Sequence, residues 1–182
     1  MEIKLLIGLG NPGAQYKNTY HNVGEFFVDE LAKTAFKRER HFEYTKVGKL
    51  VLIKPLTFMN QSGGAVSAAK KYFNVKPGGI LIVHDDSDIP LGSFKLSFAR
   101  GSAGHRGIES IIKSLRTSKF YRLRIGIRSP REVRRTKAND LVLKKIPQKE
   151  IKILEDLFRR IGLQHLEVKS KAHPAASFRQ NA

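Results

Sequence analysis

The sequence predicts one α/β domain across residues 1–182, with a mixed, mostly parallel twisted sheet flanked by helices. Three observations lead there. Two short apolar runs, KLLIGL at 4–9 and ILIVH at 80–84, read as strands buried on both faces. Segments of helical period alternate with strand-like ones along the chain, the pattern of a sheet covered by helices. A length of 182 residues with 41% apolar content suits one packed domain and is short for two.

The first run closes at Gly10 and Asn11-Pro12-Gly13, which is strong turn chemistry. A helix is expected over about 23–36, because Val23, Phe27 and Leu31 recur at helical spacing and Phe26 and Ala35 widen their face. The next run, KRERH, is solvated. Residues 42–47 and 50–54 flank Val47-Gly48-Lys49 and predict a hairpin, stopped by Pro55. Ser62 stands as the N-cap of a helix in which Val66, Ala69 and Phe73 share a face. The strand at 80–84 leaves Asp85, Asp86 and Asp88 in a loop beyond its carboxyl end, where open α/β sheets place their sites.

Residues 93–98 alternate as a strand. Arg100 to Gly104 form a glycine-rich loop that opens a helix with Ile108, Ile111, Ile112 and Leu115 inward, a setting suited to an anion. A strand at 120–127, a basic exposed connector RSPREVRRTK and an amphipathic helix at about 148–161 complete the pattern. The remainder, about 163–182, is expected to be a loosely held basic tail. No internal repeat, low-complexity segment or domain boundary interrupts the chain.

Charge is uneven. The formal net charge is +18, and residues 95–182 hold 22 Lys or Arg against 7 Asp or Glu, whereas residues 1–94 hold 12 against 9. Such a half attracts a polyanion, with nucleic acid the natural candidate and salt-dependent binding the consequence. The alternative is a protein that is basic only for solubility. With no cysteine, disulfides, thiolate nucleophiles and cysteine-bound zinc are excluded. No run of about twenty apolar residues could span a bilayer. The apolar stretch near the start is too short for a secretory signal, so the cytoplasm is the expected compartment.

Gly8, Gly10 and Gly13 spell the dinucleotide fingerprint after a strand, but AQYKNTYHN comes next with no apolar period, so the required helix is missing. A serine-hydrolase elbow is absent too: Ser102 has Arg100, and Ser62 has Asn60, where that motif needs glycine. Ester hydrolysis near neutral pH needs a base for water, a group that holds the base in its working tautomer, and donors for the oxyanion. His21 is the best base, since an ordinary imidazole pKa of about 6.5 leaves it mostly neutral yet near operating pH. If the two apolar strands are neighbours, Asp85 can bind one ring nitrogen and orient it. Asn11 and Asn60 supply amides with both donors and acceptors. Each has a structural alternative: His21 as a backbone-satisfied loop residue, Asn11 as part of a turn, Asn60 as a cap. Asp85, Asp86 and Asp88 could instead ligate Mg²⁺ or Ca²⁺ in a nuclease, but distant carboxylates to complete that site are lacking.

Five ordered blocks carry a specific resemblance: GLGNPGAQYKNTYHNVG at 8–24, KPLTFMNQSG at 54–63, ILIVHDDSDIPLG at 80–92, GSAGHRGIESI at 101–111 and FYRLRIGI at 120–127. Together they resemble the bacterial-type peptidyl-tRNA hydrolases over most of the chain. The resemblance implies a cofactor-free, metal-free esterase that cuts peptide from the 3′ end of transfer RNA. It implies His21 as proton acceptor, Asp85 as stabiliser of its basic form, Asn11 as the group that tells a blocked aminoacyl ester from a free one, and Asn60 as a holder of the attacked carbonyl. Tyr16 and Phe58 match positions that contact transfer RNA and could stack on terminal bases. Asn22 and Met59 are expected to finish the pocket wall, and Arg124 to meet a phosphate.

Two departures stand out. Arg106 occupies the place of the family's usual Asn, so that role does not transfer, and a phosphate, a terminal ribose or an outward pose are open to its guanidinium. Ser97 aligns with a basic position, leaving Lys95 two residues earlier on the same strand face. The expected partner is the acceptor stem and 3′ end of peptidyl-tRNA, with no membrane and no obligate protein partner, in a monomer. The alternative is a non-catalytic RNA-binding protein that keeps the fold and the basic face.

Overall fold

The structure is a computed structural model that describes residues 2–32, 34–129 and 141–164. Seven strands form one mixed sheet: β1 (Leu5–Gly8), β2 (Lys37–Arg38), β3 (Phe42–Val47), β4 (Leu50–Pro55), β5 (Ile80–Pro90), β6 (Phe94–Phe98) and β7 (Tyr121–Arg128), in the order β2-β3-β4-β1-β5-β7-β6. The four central strands, β4, β1, β5 and β7, run parallel, and β2, β3 and β6 add antiparallel pairs outside them. Helices α1 (Val23–Leu31), α2 (Ser62–Tyr72), α3 (Arg106–Leu115) and α4 (Gln148–Gln164) lie on its two faces. β1 and β5 are direct neighbours, Leu5 opposite Ile80 through Gly8 opposite Val83.

Strand alternation sorts the apolar residues into two cores. Leu6, Leu52, Leu81 and Val83 face α1 and α4, where Phe27 and Phe158 stand edge to face with ring centroids 5.0 Å apart. Leu5, Ile7, Ile53, Ile80 and Ile82 face the other way, toward Val66 and Ala69 of α2 and Ile108 and Ile111 of α3. Both cores are closed, which is why the central strands read as continuous apolar runs.

Three boundaries depart from sequence expectation. α1 stops at Leu31 rather than near residue 36, with Ala32 already extended. Sheet contacts capture the residues beyond it: Thr34 Oγ1 lies 2.6 Å from Thr45 Oγ1 of β3, and the Lys54 ammonium sits 4.1 Å above the Phe36 ring. β5 continues to Pro90, so Asp85, Asp86 and Asp88 lie in the strand and not in a loop beyond it. Pairing with β7 overrides the poor strand propensity of that acidic stretch, with Asp86 opposite Gly126 and, after a register shift, Pro90 opposite Arg128. Ser62 is the first residue of α2 and Gln61 its N-cap; the Ser62 hydroxyl donates to the Met59 carbonyl at 2.8 Å. The hairpin, α3 and the last helix fall where expected. Most of the basic connector, and the tail from residue 165, lie outside the described residues.

The close approach of α1 to β1 and β5 has a definite cause. A Cβ on Gly24 would stand 2.2 Å from the Val83 carbonyl oxygen and 2.7 Å from the Leu9 nitrogen, both backbone atoms that cannot yield. Only glycine lets the start of α1 rest on the end of β1 and on β5 at Val83. Gly24→Ala is therefore expected to cost about 1–3 kcal/mol or more through overpacking. Gly64→Ala, on an open face of α2, is expected to stabilise by about 0.5–1 kcal/mol. Chemical denaturation of the two variants measures both.

Candidate active site

His21 lies in a single 3-10 turn, Tyr20–Asn22, that runs directly into α1. Its neighbours fix it. The Tyr20 ring is buried and its hydroxyl reaches Glu150 Oε2 of α4 at 2.5 Å, while Thr19 Oγ1 donates to the Tyr16 carbonyl at 2.8 Å. Because α1 rests on β1 and β5, the turn delivers the imidazole to Asp85 on β5. His21 Nδ1 and Asp85 Oδ1 are 2.8 Å apart.

The same carboxylate oxygen has a second partner that sequence reasoning missed. His105 Nε2 lies 3.1 Å from Asp85 Oδ1. His105 is the N-cap of α3, and its Nδ1 accepts from the amides of Gly107 and Ile108 at 3.1 and 3.3 Å. Nδ1 must then carry the lone pair and Nε2 the hydrogen, so His105 donates to Asp85. With Nδ1 of His21 also donating, a neutral His21 keeps its Nε2 lone pair for chemistry. A histidine three residues before an apolar helical period was the available signal, masked because histidine is an uncommon cap.

Asp85 is 3% exposed, and burial by itself would raise its pKa; His105 and His21 outweigh that and hold the carboxyl well below the usual carboxylate range. His84, next in the strand, stacks edge-on against His105 at 4.6 Å and donates from Nδ1 to the Asp85 carbonyl at 2.7 Å. Burial first, then the neighbouring His105, push its pKa well down, so it stays neutral and adds no charge behind the carboxylate.

The loop after β1 is tied to this centre through one side chain. Asn22, adjacent to His21, accepts from the Asn11 amide through Oδ1 at 2.9 Å and donates from Nδ2 to the Asn11 carbonyl at 2.9 Å. The Asn11 side chain reaches the other way: its Oδ1 accepts from the Met59 amide at 2.8 Å. That bond fixes which end of the amide is oxygen and leaves its Nδ2 as a donor. Asn60 comes after Met59 in the turn Met59–Gln61 and is exposed.

The other expected residues spread over the surrounding surface and core. Met59 and Asn22, expected in a pocket wall, are buried: Met59 packs in the core beneath Gly107, and Asn22 serves as the loop clamp. Tyr16 and Phe58 stand edge to face at 6.3 Å, with Phe58 49% exposed. Arg106 is exposed at the first turn of α3, directly after His105. Arg124 donates from Nε to Asp86 Oδ2 at 2.7 Å, and Lys95 is exposed opposite it across β6 and β7. The acidic residues do not converge on one point: Asp85 serves the two imidazoles, Asp86 accepts from Arg124 and from the Asp88 amide, and Asp88 is exposed. His21, Asp85 and His105 could bring three ligand atoms within 4.8 Å of each other. Their present pattern, one oxygen accepting two N–H groups, is that of a hydrogen-bonded acid–base unit. A separate cleft of about 350 Å³, lined by Glu2, Lys4, Lys46, Gly48, Lys49 and Val51, opens at the amino end of β1, away from this centre.

Comparison with known proteins agrees over most of the chain. The family model for peptidyl-tRNA hydrolase matches residues 5–179. Curated peptidyl-tRNA hydrolases of Neisseria meningitidis and Coxiella burnetii are each 46% identical, covering 70% of this chain and 71% of theirs. A crystal structure of peptidyl-tRNA hydrolase from Acinetobacter baumannii aligns with a TM-score of 0.77 at 33% identity, covering 88% of this chain and 85% of that one.

The depressed Asp85 carboxyl makes a stability prediction with a definite sign. A carboxylate whose native pKa lies below its unfolded value stabilises the fold above that unfolded value, about 3.9, and loses its contribution as pH falls. Asp85→Asn is expected to cost about 1–3 kcal/mol at neutral pH, the scale of hydrogen bonds to a charged group. The gap to wild type should narrow steadily below about pH 4, read from urea midpoints across the pH series.

Proposed function

Since this chain belongs to the peptidyl-tRNA hydrolase family, and so hydrolyses the ester that joins a peptide to tRNA, we propose that His21 is the general base of that reaction and Asp85 the residue that orients it. The observation that carries the assignment is the 2.8 Å contact between His21 Nδ1 and Asp85 Oδ1. Nε2 takes a proton from water as the oxygen attacks the ester carbonyl, and Asp85 stabilises the imidazolium that forms. Collapse of the tetrahedral intermediate expels the 3′ oxygen of the terminal ribose, which takes up that proton. The peptide acid so formed gives its own proton to solvent, and the products are a free peptide carboxylate, a proton and an intact tRNA. His105 holds the same Asp85 oxygen from the other side and keeps the carboxylate from rotating away.

Asn11 discriminates through the donor end of its amide. Its Oδ1 already accepts from the Met59 amide, which leaves Nδ2 as the donor offered to substrate. A peptide carbonyl can accept from Nδ2; a free ammonium, which has only donors, cannot. Asn60, on the same turn, holds the attacked carbonyl and steadies the oxyanion. Tyr16 and Phe58 offer ring faces and edges to the terminal bases, and Arg106, Arg124 and Lys95 attract the phosphates of the acceptor stem. The protein works as a monomer in the cytoplasm and recycles tRNA from prematurely released peptidyl-tRNA. Among the described residues no helix is long and apolar enough to cross a membrane.

A non-catalytic RNA binder needs no base held against a carboxylate, and the intact pair supports the enzyme. The assay is release of N-acetylated amino acid from its tRNA ester. His21→Ala should lower turnover by about 10²–10⁴-fold, the usual size of general-base assistance, and Asp85→Asn should cost less. EDTA should leave the rate unchanged. Asn11→Ala should relax the exclusion of unblocked aminoacyl-tRNA more than it slows the blocked substrate. Near wild-type turnover by His21→Ala would sink the assignment.

A further inference from the structure

Glu25, in the first turn of α1, is a half-buried carboxyl that the chemistry above does not use. Its Oε2 accepts from Asn22 Nδ2 at 2.8 Å. That nitrogen also donates to the Asn11 carbonyl, so both hydrogens of the Asn22 amide are spoken for. Room for the carboxyl exists because residue 10 has no side chain: a Cβ on Gly10 would lie 2.6 Å from Glu25 Oε2 and 2.8 Å from Asn22 Nδ2. The charged groups facing it are Lys54 of β4, Asp29 of α1 and Glu43 of β3. Lys54 Nζ is already bound by Asp29 at 2.7 Å and Glu43 at 2.8 Å. Among the described residues, Asn22 is the sole hydrogen-bond partner of the Glu25 carboxyl.

We propose that Glu25 is a positioning residue for substrate recognition, seated in the space that Gly10 leaves and acting through Asn22 to hold Asn11 in place. The inference rests on the reading that Asn11 receives the peptide amide. Without Glu25, one hydrogen of a buried amide is left unpaired, and Asn22 is free to turn and find another acceptor. Its two bonds to the Asn11 backbone then loosen, and with them the aim of the Asn11 donors. The chemical centre is spared, because neither His21 nor Asp85 touches Glu25.

The arrangement is also sensitive to pH. Burial pushes the Glu25 carboxyl up to about 7, with Lys54 opposing and Asp29 and Glu43 reinforcing the shift. Ionised, it binds Asn22 through a charge-assisted bond; protonated, through a weaker neutral one. The grip on Asn11 therefore tightens as pH rises through neutrality. Stability moves the other way: between the ordinary carboxyl value and about 7 the native state holds a proton that the unfolded chain releases, so this contribution is lost as pH rises.

The test compares wild type, Glu25→Ala, Glu25→Gln and Asn11→Ala on an N-acetylated aminoacyl-tRNA between about pH 5.5 and about pH 8.5, with kcat and KM separated. Glu25→Ala should raise KM about three- to tenfold, the size of one hydrogen bond, with kcat within about twofold. Glu25→Gln keeps an acceptor for Asn22 and should restore KM to within about twofold of wild type at low pH. The ratio of wild-type to Glu25→Gln kcat/KM, in which effects common to both proteins cancel, should rise through one step near pH 7. An unchanged KM in Glu25→Ala beside a raised KM in Asn11→Ala overturns the positioning role and leaves the reading of Asn11 standing. An Asn11→Ala variant that behaves as wild type, with unblocked aminoacyl-tRNA still excluded, overturns both. A loss of kcat alone in Glu25→Ala also overturns it. If Glu25→Ala does not fold, Glu25→Gln decides: a flat ratio across the pH range sinks the proposal.

Discussion

One carboxylate oxygen accepting from two imidazoles is the constraint around which this molecule is built. Asp85 Oδ1 receives His21 from the loop before α1 and His105 from the cap of α3. Those two residues come from opposite faces of the sheet, so the oxygen joins the layers as well as the chemistry. Each histidine is locked for its own reason. His105 is fixed by the free amides of a helix start, which demand a lone pair on Nδ1; His21 is fixed by the carboxylate itself. A buried carboxylate is costly unless its charge is met by donors, and two N–H groups on one oxygen meet it.

The geometry depends on how closely elements approach. Gly24 lets the start of α1 lie on the carboxyl end of β1 and on Val83 within β5, and so sets the depth at which His21 arrives. The Asn11 loop is then hung from the same turn by Asn22 and pinned to the turn before α2 by Met59. His21, Asn11 and Asn60, the proposed base, discriminating amide and substrate-holding amide, are thus carried on one connected frame. A site assembled from strand ends and helix starts holds its aim better than one built on free loops.

Much of this was legible in the residues. The apolar runs at 4–9 and 80–84 read as buried strands, and the turn chemistry after the first placed a polar loop at the sheet's carboxyl edge. The pairing of His21 with Asp85 needed one further assumption, that the two strands are adjacent. The end of α1 and the length of β5 were not legible, since each was decided by a distant partner, Thr45 and Lys54 for the first and β7 for the second; the cap of α2 shifted by one residue for a local reason, the 3-10 turn Met59–Gln61 whose Met59 carbonyl takes the Ser62 hydroxyl. His105 escaped notice because its importance lies in two contacts, to Asp85 and to its own helix amides, that exist only once α3 is docked.

The amino-acid sequence determined the element types, the two-faced apolar pattern of the sheet, the basic second half and the residue types available for acid–base work, since periodicity and composition are local properties of the chain. Tertiary structure alone decided which nitrogen of each imidazole carries hydrogen, which end of Asn11 is spent on the backbone, and that Glu25 and Gly10 share one space. Those outcomes depend on distances of about 3 Å between residues far apart in the chain, and only a packed fold sets such distances.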